Sequence, residues 1–172
     1  RLPVSFPRAT AQLPPFEDYA MDNRTYRYMR DEPLYPFGFG LSYTTFAYSN
    51  PQLGCARMSA GDTTRITVTV TNTGARAGDE VVQLYITDCE ASVRVPQSAL
   101  KAFTRVTLQP GEAREVAFEI TPAMLALVDN AGEARVEPGT FVISVGGTSP
   151  GARSVALGAA TPVTTHLEIV PA

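Results

Sequence analysis

The chain has 172 residues, of which 44% are hydrophobic and 18% charged, with a formal net charge of −3; that is the balance of a globular chain and excludes a disordered one. An acidic protein without a basic stripe is a poor nucleic-acid ligand, and no apolar run reaches the length of a membrane-spanning helix. Two cysteines and one histidine are too few for a Cys/His zinc centre, and no other metal or cofactor is expected.

The chain opens on Arg1 rather than Met. It lacks the charged and apolar segments of a signal peptide; either processing or truncation is expected to have made this N-terminus, which makes the chain a candidate piece of something longer. Residues 1–48 hold 11 of the 15 aromatic residues, and residues 1–51 hold seven of the 14 prolines. This stretch has little periodicity and is expected to be an extended arm that buries its rings against a domain not fully contained in the chain. Asn23-Arg24-Thr25 fits the N-glycosylation pattern. Tyr26-Arg27-Tyr28, with Tyr35, Phe37 and Phe39, forms a cluster of rings and guanidinium. Such clusters serve interdomain packing more often than they serve sugar faces.

Beyond the arm the pattern changes to period two. Ile66, Val68 and Val70 alternate with Arg65, Thr67, Thr69 and Thr71, and Val82, Leu84 and Ile86 follow after two turn-forming clusters. Leu100–Leu108, Val116–Ile120, Phe141–Val145 and Val163–Val170 are further strand-like runs. Phe103, Phe118 and Phe141 are expected in the core, and Pro122–Val128 is the one helical segment expected. Short strands separated by turns predict an all-β, immunoglobulin-like antiparallel sandwich over residues 44–172. If one strand ends near Cys55 and another near Cys89, the two cysteines meet at one end of that sandwich, and a disulfide there suits an oxidising compartment.

No catalytic residue emerges. Asp79-Glu80 and Asp129 with Glu133 lie in turn contexts, where solvated acids are the norm. The Asp129–Glu133 run lacks the spacing of a calcium loop. Gly38-Phe39-Gly40 and Gly146-Gly147 have no phosphate-loop lysine after them and are expected to be turns. His166, the sole histidine, falls in a strand-like run near the C-terminus.

The motifs go further than the composition. Leu2–Pro7, Gln12–Pro15, Arg24–Tyr28 and above all Pro33-Leu-Tyr-Pro-Phe-Gly-Phe-Gly-Leu-Ser-Tyr-Thr44 resemble the C-terminal part of glycoside hydrolase family 3. Val68–Gly74, Gly78–Tyr85, Leu100–Phe103, Leu108–Gly111 and Glu137–Gly139 resemble, in order, that family's fibronectin type III-like domain. The resemblance implies an exo-acting, retaining β-glycosidase acting on plant-cell-wall oligosaccharides. Its nucleophile and its acid/base would both lie upstream of this chain, so the catalytic residues here are none. Residues 1–43 would then be the end of an α/β sandwich domain and a linker arm, and residues 44–172 the sandwich that braces the catalytic domains.

The Arg24–Tyr28 string resembles the β-xylosidase-like branch more than the β-glucosidases. Tyr26, Arg27 and Tyr28 become candidates for the rim of the upstream active site or for an interdomain contact. The expected partners are those catalytic domains, an oligosaccharide reached through them, and a second copy in a homodimer, in a bacterial periplasmic or secreted setting. The alternatives are a β-glucosidase of the same family and a stand-alone carbohydrate-binding or adhesive sandwich.

Overall fold

The computed structural model describes residues 1–171. Two sheets face each other. One has the order β1 (Phe46–Leu53), β3 (Thr64–Asn72), β6 (Ala113–Ile120). The other has the order β2 (Arg57–Ser59), β10 (Val163–Val170), β9 (Gly139–Gly146), β4 (Gly78–Asp88), β5 (Ala99–Leu108). All pairs are antiparallel except β2 with β10. From β3 the chain crosses to the β4–β5 hairpin and returns as β6 beside β3, a Greek-key path. A small hairpin of β7 (Leu127–Val128) and β8 (Ala134–Arg135) lies apart.

The alternation decides which side chains face inward. Ile66, Val68 and Val70 from β3 meet Val116, Phe118 and Ile120 from β6, and they pack on Val82, Leu84 and Ile86 from β4 and Phe141, Ile143 and Val145 from β9. Each of these is less than a tenth exposed. One end of the core is tied by Asn72, which is fully buried. Its amide donates to the carbonyls of Arg76 (2.7 Å) and Leu108 (3.0 Å), and its oxygen accepts from the Thr44 hydroxyl (2.7 Å). A buried amide with its partners in place specifies the turn that follows it.

Three expectations need correction. Phe103 is 68% exposed: it stands opposite Gln83 on the outward face of the β4–β5 pair, while Ala102 takes the inward position opposite Leu84. The expected helix covers only Pro122–Leu125 (α2), because Ala126 turns extended (ψ 138°) and Leu127–Val128 enter the β7–β8 hairpin, and it is not the one helical segment, since Thr25–Tyr28 (α1) and Ala152–Ala156 (α3) are helical too. Cys55 and Cys89 are free and exposed. They do lie toward the same end of the sandwich, since the Cys55 thiol donates to the carbonyl of Arg57 at the start of β2 and Cys89 N–H donates to Thr140 O in β9. The strand order places β10 and β9 between β2 and β4. Three interstrand steps amount to about 14 Å, whereas a bridge needs Cα atoms within about 7 Å.

Candidate functional site

Two of the contacts that fasten the arm to the sandwich involve the candidate residues and the buried carboxylate. At the first, residues 2–6 run against residues 34–39: Leu2 N–H donates to Phe39 O, Gly38 N–H to Leu2 O and Phe6 N–H to Tyr35 O, each at 2.8 Å. This short ladder carries Arg1 to the rim of the core. Its Nη2 lies 2.6 and 2.5 Å from the two Glu80 carboxylate oxygens, and its Nη1 donates to Gly40 O at 2.8 Å. The Tyr48 hydroxyl donates to Glu80 Oε1 at 2.9 Å.

Glu80 has the same strand parity as Val82 and Leu84, so it points inward and is only 3% exposed. Burial raises its pKa, and the Arg1 charge and the Tyr48 hydrogen bond pull it back down. Burial and the neighbouring carboxylate hold the Tyr48 phenol far above its ordinary value. Gly147 closes the site: a Cβ there would sit 2.2 Å from Glu80 Oε1.

The second fastening is the single turn α1, Thr25–Tyr28. The Tyr26 ring stacks on Phe37 (4.0 Å, 12°) and meets Tyr85 of β4 edge-on (6.2 Å). The Tyr26 hydroxyl accepts Leu100 N–H at 3.0 Å, and the Arg27 carbonyl accepts Gln97 N–H at 2.8 Å. Arg94 lies 5.0 Å over the Tyr28 ring and pairs with Asp22. Asn23 (φ 53°) and Thr25 (φ 55°) both take left-handed backbone, which costs about 1–3 kcal/mol for a non-glycine residue and persists only where surroundings enforce it. The Asn23 amide is committed to that turn, donating to Asp31 Oδ2 (3.0 Å) and accepting Arg30 N–H (2.9 Å).

The structure thus brings Tyr26, Arg27 and Tyr28 together and divides their work. Tyr26 is an anchor, Arg27 is exposed, and Tyr28 is partly covered beside a groove. The arm also explains two buried residues on the outward face of β4. Gln83 donates to Gly147 O (2.7 Å) and accepts from the Tyr85 hydroxyl (2.6 Å) beneath Gly38, whose φ of +74° and whose lack of Cβ allow the approach.

The carboxylates are arranged for structure. Asp79 and Glu80 are neighbours in a strand and face opposite ways, so they cannot act across one bond. The Thr107 hydroxyl and Arg105, both bonded to Asp79, hold its carboxyl below the ordinary range. Asp129 is lowered first by the Glu133 backbone N–H that it accepts, in a turn that also binds Ala131 N–H. His166 is exposed on β10. Among the described residues, no group of three or more His, Cys, Asp or Glu could hold a metal ion.

Several large apolar residues of the arm face outward: Phe16 (91% exposed), Tyr19 (90%), Leu41 (90%) and Tyr43 (94%).

Comparison with known proteins places this architecture. The model of the fibronectin type III-like domain matches residues 80–149. A β-xylosidase of Formosa agariphila is 45% identical over 154 residues, which is 87% of this chain and 21% of that protein. A periplasmic β-glucosidase of Salmonella typhimurium is 38% identical over 85% of this chain and 21% of its own length. The solved structure of a β-glucosidase from Erythrobacter marinus superposes with a TM-score of 0.79 at 36% identity, covering 96% of this chain and 21% of that one. The β-glucosidase of Listeria innocua in complex with glucose gives 0.77 at 30% identity, covering 97% and 24%. The chain therefore spans about a fifth of the length of these relatives.

Proposed function

Because the chain belongs to glycoside hydrolase family 3, as the portion that carries a fibronectin type III-like domain, we propose that it is the C-terminal, non-catalytic part of a retaining β-glycosidase. In this reading the sandwich braces catalytic domains encoded upstream. The enzyme is β-xylosidase-like, acts from chain ends on plant-cell-wall oligosaccharides, and works in a bacterial periplasm or outside the cell. The division of the chain into an arm of residues 1–43 and a sandwich of residues 44–172 belongs to the same proposal.

One observation carries it: the identity to a β-xylosidase runs through 87% of the chain, too much to rest on the sandwich alone. The site supports the non-catalytic assignment, since its most buried carboxylate, Glu80, is engaged by Arg1 and Tyr48. Retaining hydrolysis needs two carboxyl groups about 5–5.5 Å apart with a sugar between them. The outward apolar side chains of Phe16, Tyr19, Leu41 and Tyr43 are the surface offered to the rest of the polypeptide. Of the Tyr26–Tyr28 turn, Arg27 and Tyr28 are the parts left for the rim of the active site. The periplasmic name of the Salmonella relative supports the compartment. A β-glucosidase is the second reading, favoured by the Erythrobacter and Listeria structures.

The test is to express the complete polypeptide and assay it with nitrophenyl β-xyloside and β-glucoside. A kcat/KM that favours the xyloside supports the proposal. A preference for the glucoside moves the enzyme to the second reading, and turnover of neither overturns both.

A further inference from the structure

Beside the Tyr26–Tyr28 turn lies a groove of about 330 Å³ between the arm, β4, β5 and α2. Its lining is mixed: the accessible apolar side chains include Met124 and Val128, and Tyr28 forms a wall. Three cations face it: Arg27, Arg94 and Lys101. Arg94 is matched by Asp22. Among the described residues, neither the Arg27 guanidinium nor the Lys101 ammonium has an ion-pair partner.

Lys101 is the sole lysine of the chain, and its position is built. Opposite β4, Leu84 faces Ala102 and Tyr85 faces Leu100, so Lys101 is the extra residue of a β-bulge. Bulges re-aim side chains, often beside functional sites. The Tyr26 hydroxyl holds the neighbouring Leu100 N–H, and the Arg27 carbonyl is held by Gln97 N–H. The backbone beside each cation is thus held in place, and both side chains line the same groove. Partial burial and the Arg27 charge both lower the pKa of Lys101. The remaining charged group is Asp88, whose Oδ1 accepts the Glu90 N–H and whose pKa is raised chiefly by burial.

Two like charges at one half-buried groove are mutually destabilising unless an anion joins them. We propose that this groove binds the carboxylate of an acidic sugar, a hexuronate taken free or as a unit of an oligosaccharide. Arg27 and Lys101 hold the carboxylate, and Met124 and Val128 with Tyr28 receive the C–H face of the ring. The volume is near the lower bound of small-molecule pockets, which suits one sugar unit. The choice of a sugar over another carboxylate rests on the glycosidase reading above.

The test is an NMR titration of this 172-residue chain with glucuronate, galacturonate, glucose, xylose and acetate. The expected result is that both uronates shift the amides of Arg27, Tyr28 and Lys101, with binding that weakens as salt rises. Glucose and xylose, which lack the carboxylate, bind at least about tenfold more weakly, the size of one lost charge-assisted hydrogen bond, and acetate, which keeps the carboxylate but lacks the ring, also binds more weakly than either uronate. Arg27→Gln and Lys101→Gln each weaken uronate binding by a similar factor, and Lys101→Arg retains it. Thermal melts of each variant confirm folding, and loss of binding in a variant that melts early counts only if Lys101→Arg binds. A glucuronate-bearing oligosaccharide that binds tighter than free glucuronate identifies the polymer as the source, and equal affinity identifies the free acid.

Equal affinity for glucose and glucuronate overturns the proposal, as does equal affinity for acetate or indifference to both Gln variants. The titration reads binding without turnover. If the complete polypeptide proves not to be a glycosidase, the assay above fails while these shifts stand.

Discussion

Replacing Arg1 with Met keeps the aliphatic stem and removes the one guanidinium bonded to Glu80. Glu80 is left 3% exposed with only the Tyr48 hydroxyl as a partner. Breaking a buried ion pair by removing one partner costs about 3–5 kcal/mol. The Arg1 side chain keeps 20% of its exposure, so screening reduces the expected loss to about 2–3 kcal/mol. For a domain of this size that lowers Tm by about 4–12 °C.

The loss also depends on pH. Glu80 has a raised folded-state pKa, so the folded form holds its proton longer than the unfolded chain. Stability therefore falls as pH rises from the ordinary carboxylate value through the folded one. Arg1 is among the groups that lower that folded pKa, so Arg1→Met raises it further and widens the window. The expected loss is larger at pH 7 than at pH 4. Glu80→Gln keeps an acceptor for Tyr48 and removes the buried charge, so adding it to Arg1→Met should recover part of the loss. Urea denaturation of the three variants at the two pH values is the assay. A loss equal at both pH values, or no recovery in the double variant, would refute the reasoning.

Phe118→Ala should cost about 3–4 kcal/mol, because the ring is 7% exposed between the two sheets and its removal leaves a cavity; chemical denaturation measures it. Gly147→Ala should destabilise by about 1–3 kcal/mol, since the added methyl meets Glu80 Oε1 at 2.2 Å, and a Tm equal to that of the parent would contradict the packing. Thiol titration of the unfolded chain without reductant should count two thiols, matching free Cys55 and Cys89. The 172-residue chain alone should hydrolyse neither nitrophenyl β-xyloside nor β-glucoside; turnover that disappears on mutating one of its own carboxylates would overturn the non-catalytic assignment.

Much of the fold was legible because a half-buried strand writes its inner face into the sequence at every second residue. Ile66–Val70, Val82–Ile86, Val116–Ile120 and Phe141–Val145 all place their alternate residues in the core. The same parity marks Glu80 as inward, a signal available in the sequence but outweighed by the expectation that acids in turns are solvated. Phe103 shows where alternation misleads. An aromatic in an edge strand has the same local pattern on either face, and the pairing of Phe103 with Gln83 decides the outcome.

What the sequence by itself determined was the strand-and-turn pattern, the aromatic arm and the motifs of the family, because each is carried by neighbours along the chain. What only the tertiary structure decided was everything set by the order of strands and the path of the arm. Cys55 and Cys89 reach the same end of the sandwich, yet two intervening strands separate them. Arg1 meets Glu80, and Tyr26 meets Leu100 N–H, across 79 and 74 residues. Lys101 lacks a partner across the strand pair only because a bulge shifts the register of β5. Such contacts depend on distances in space between residues remote in sequence, and no local periodicity encodes them.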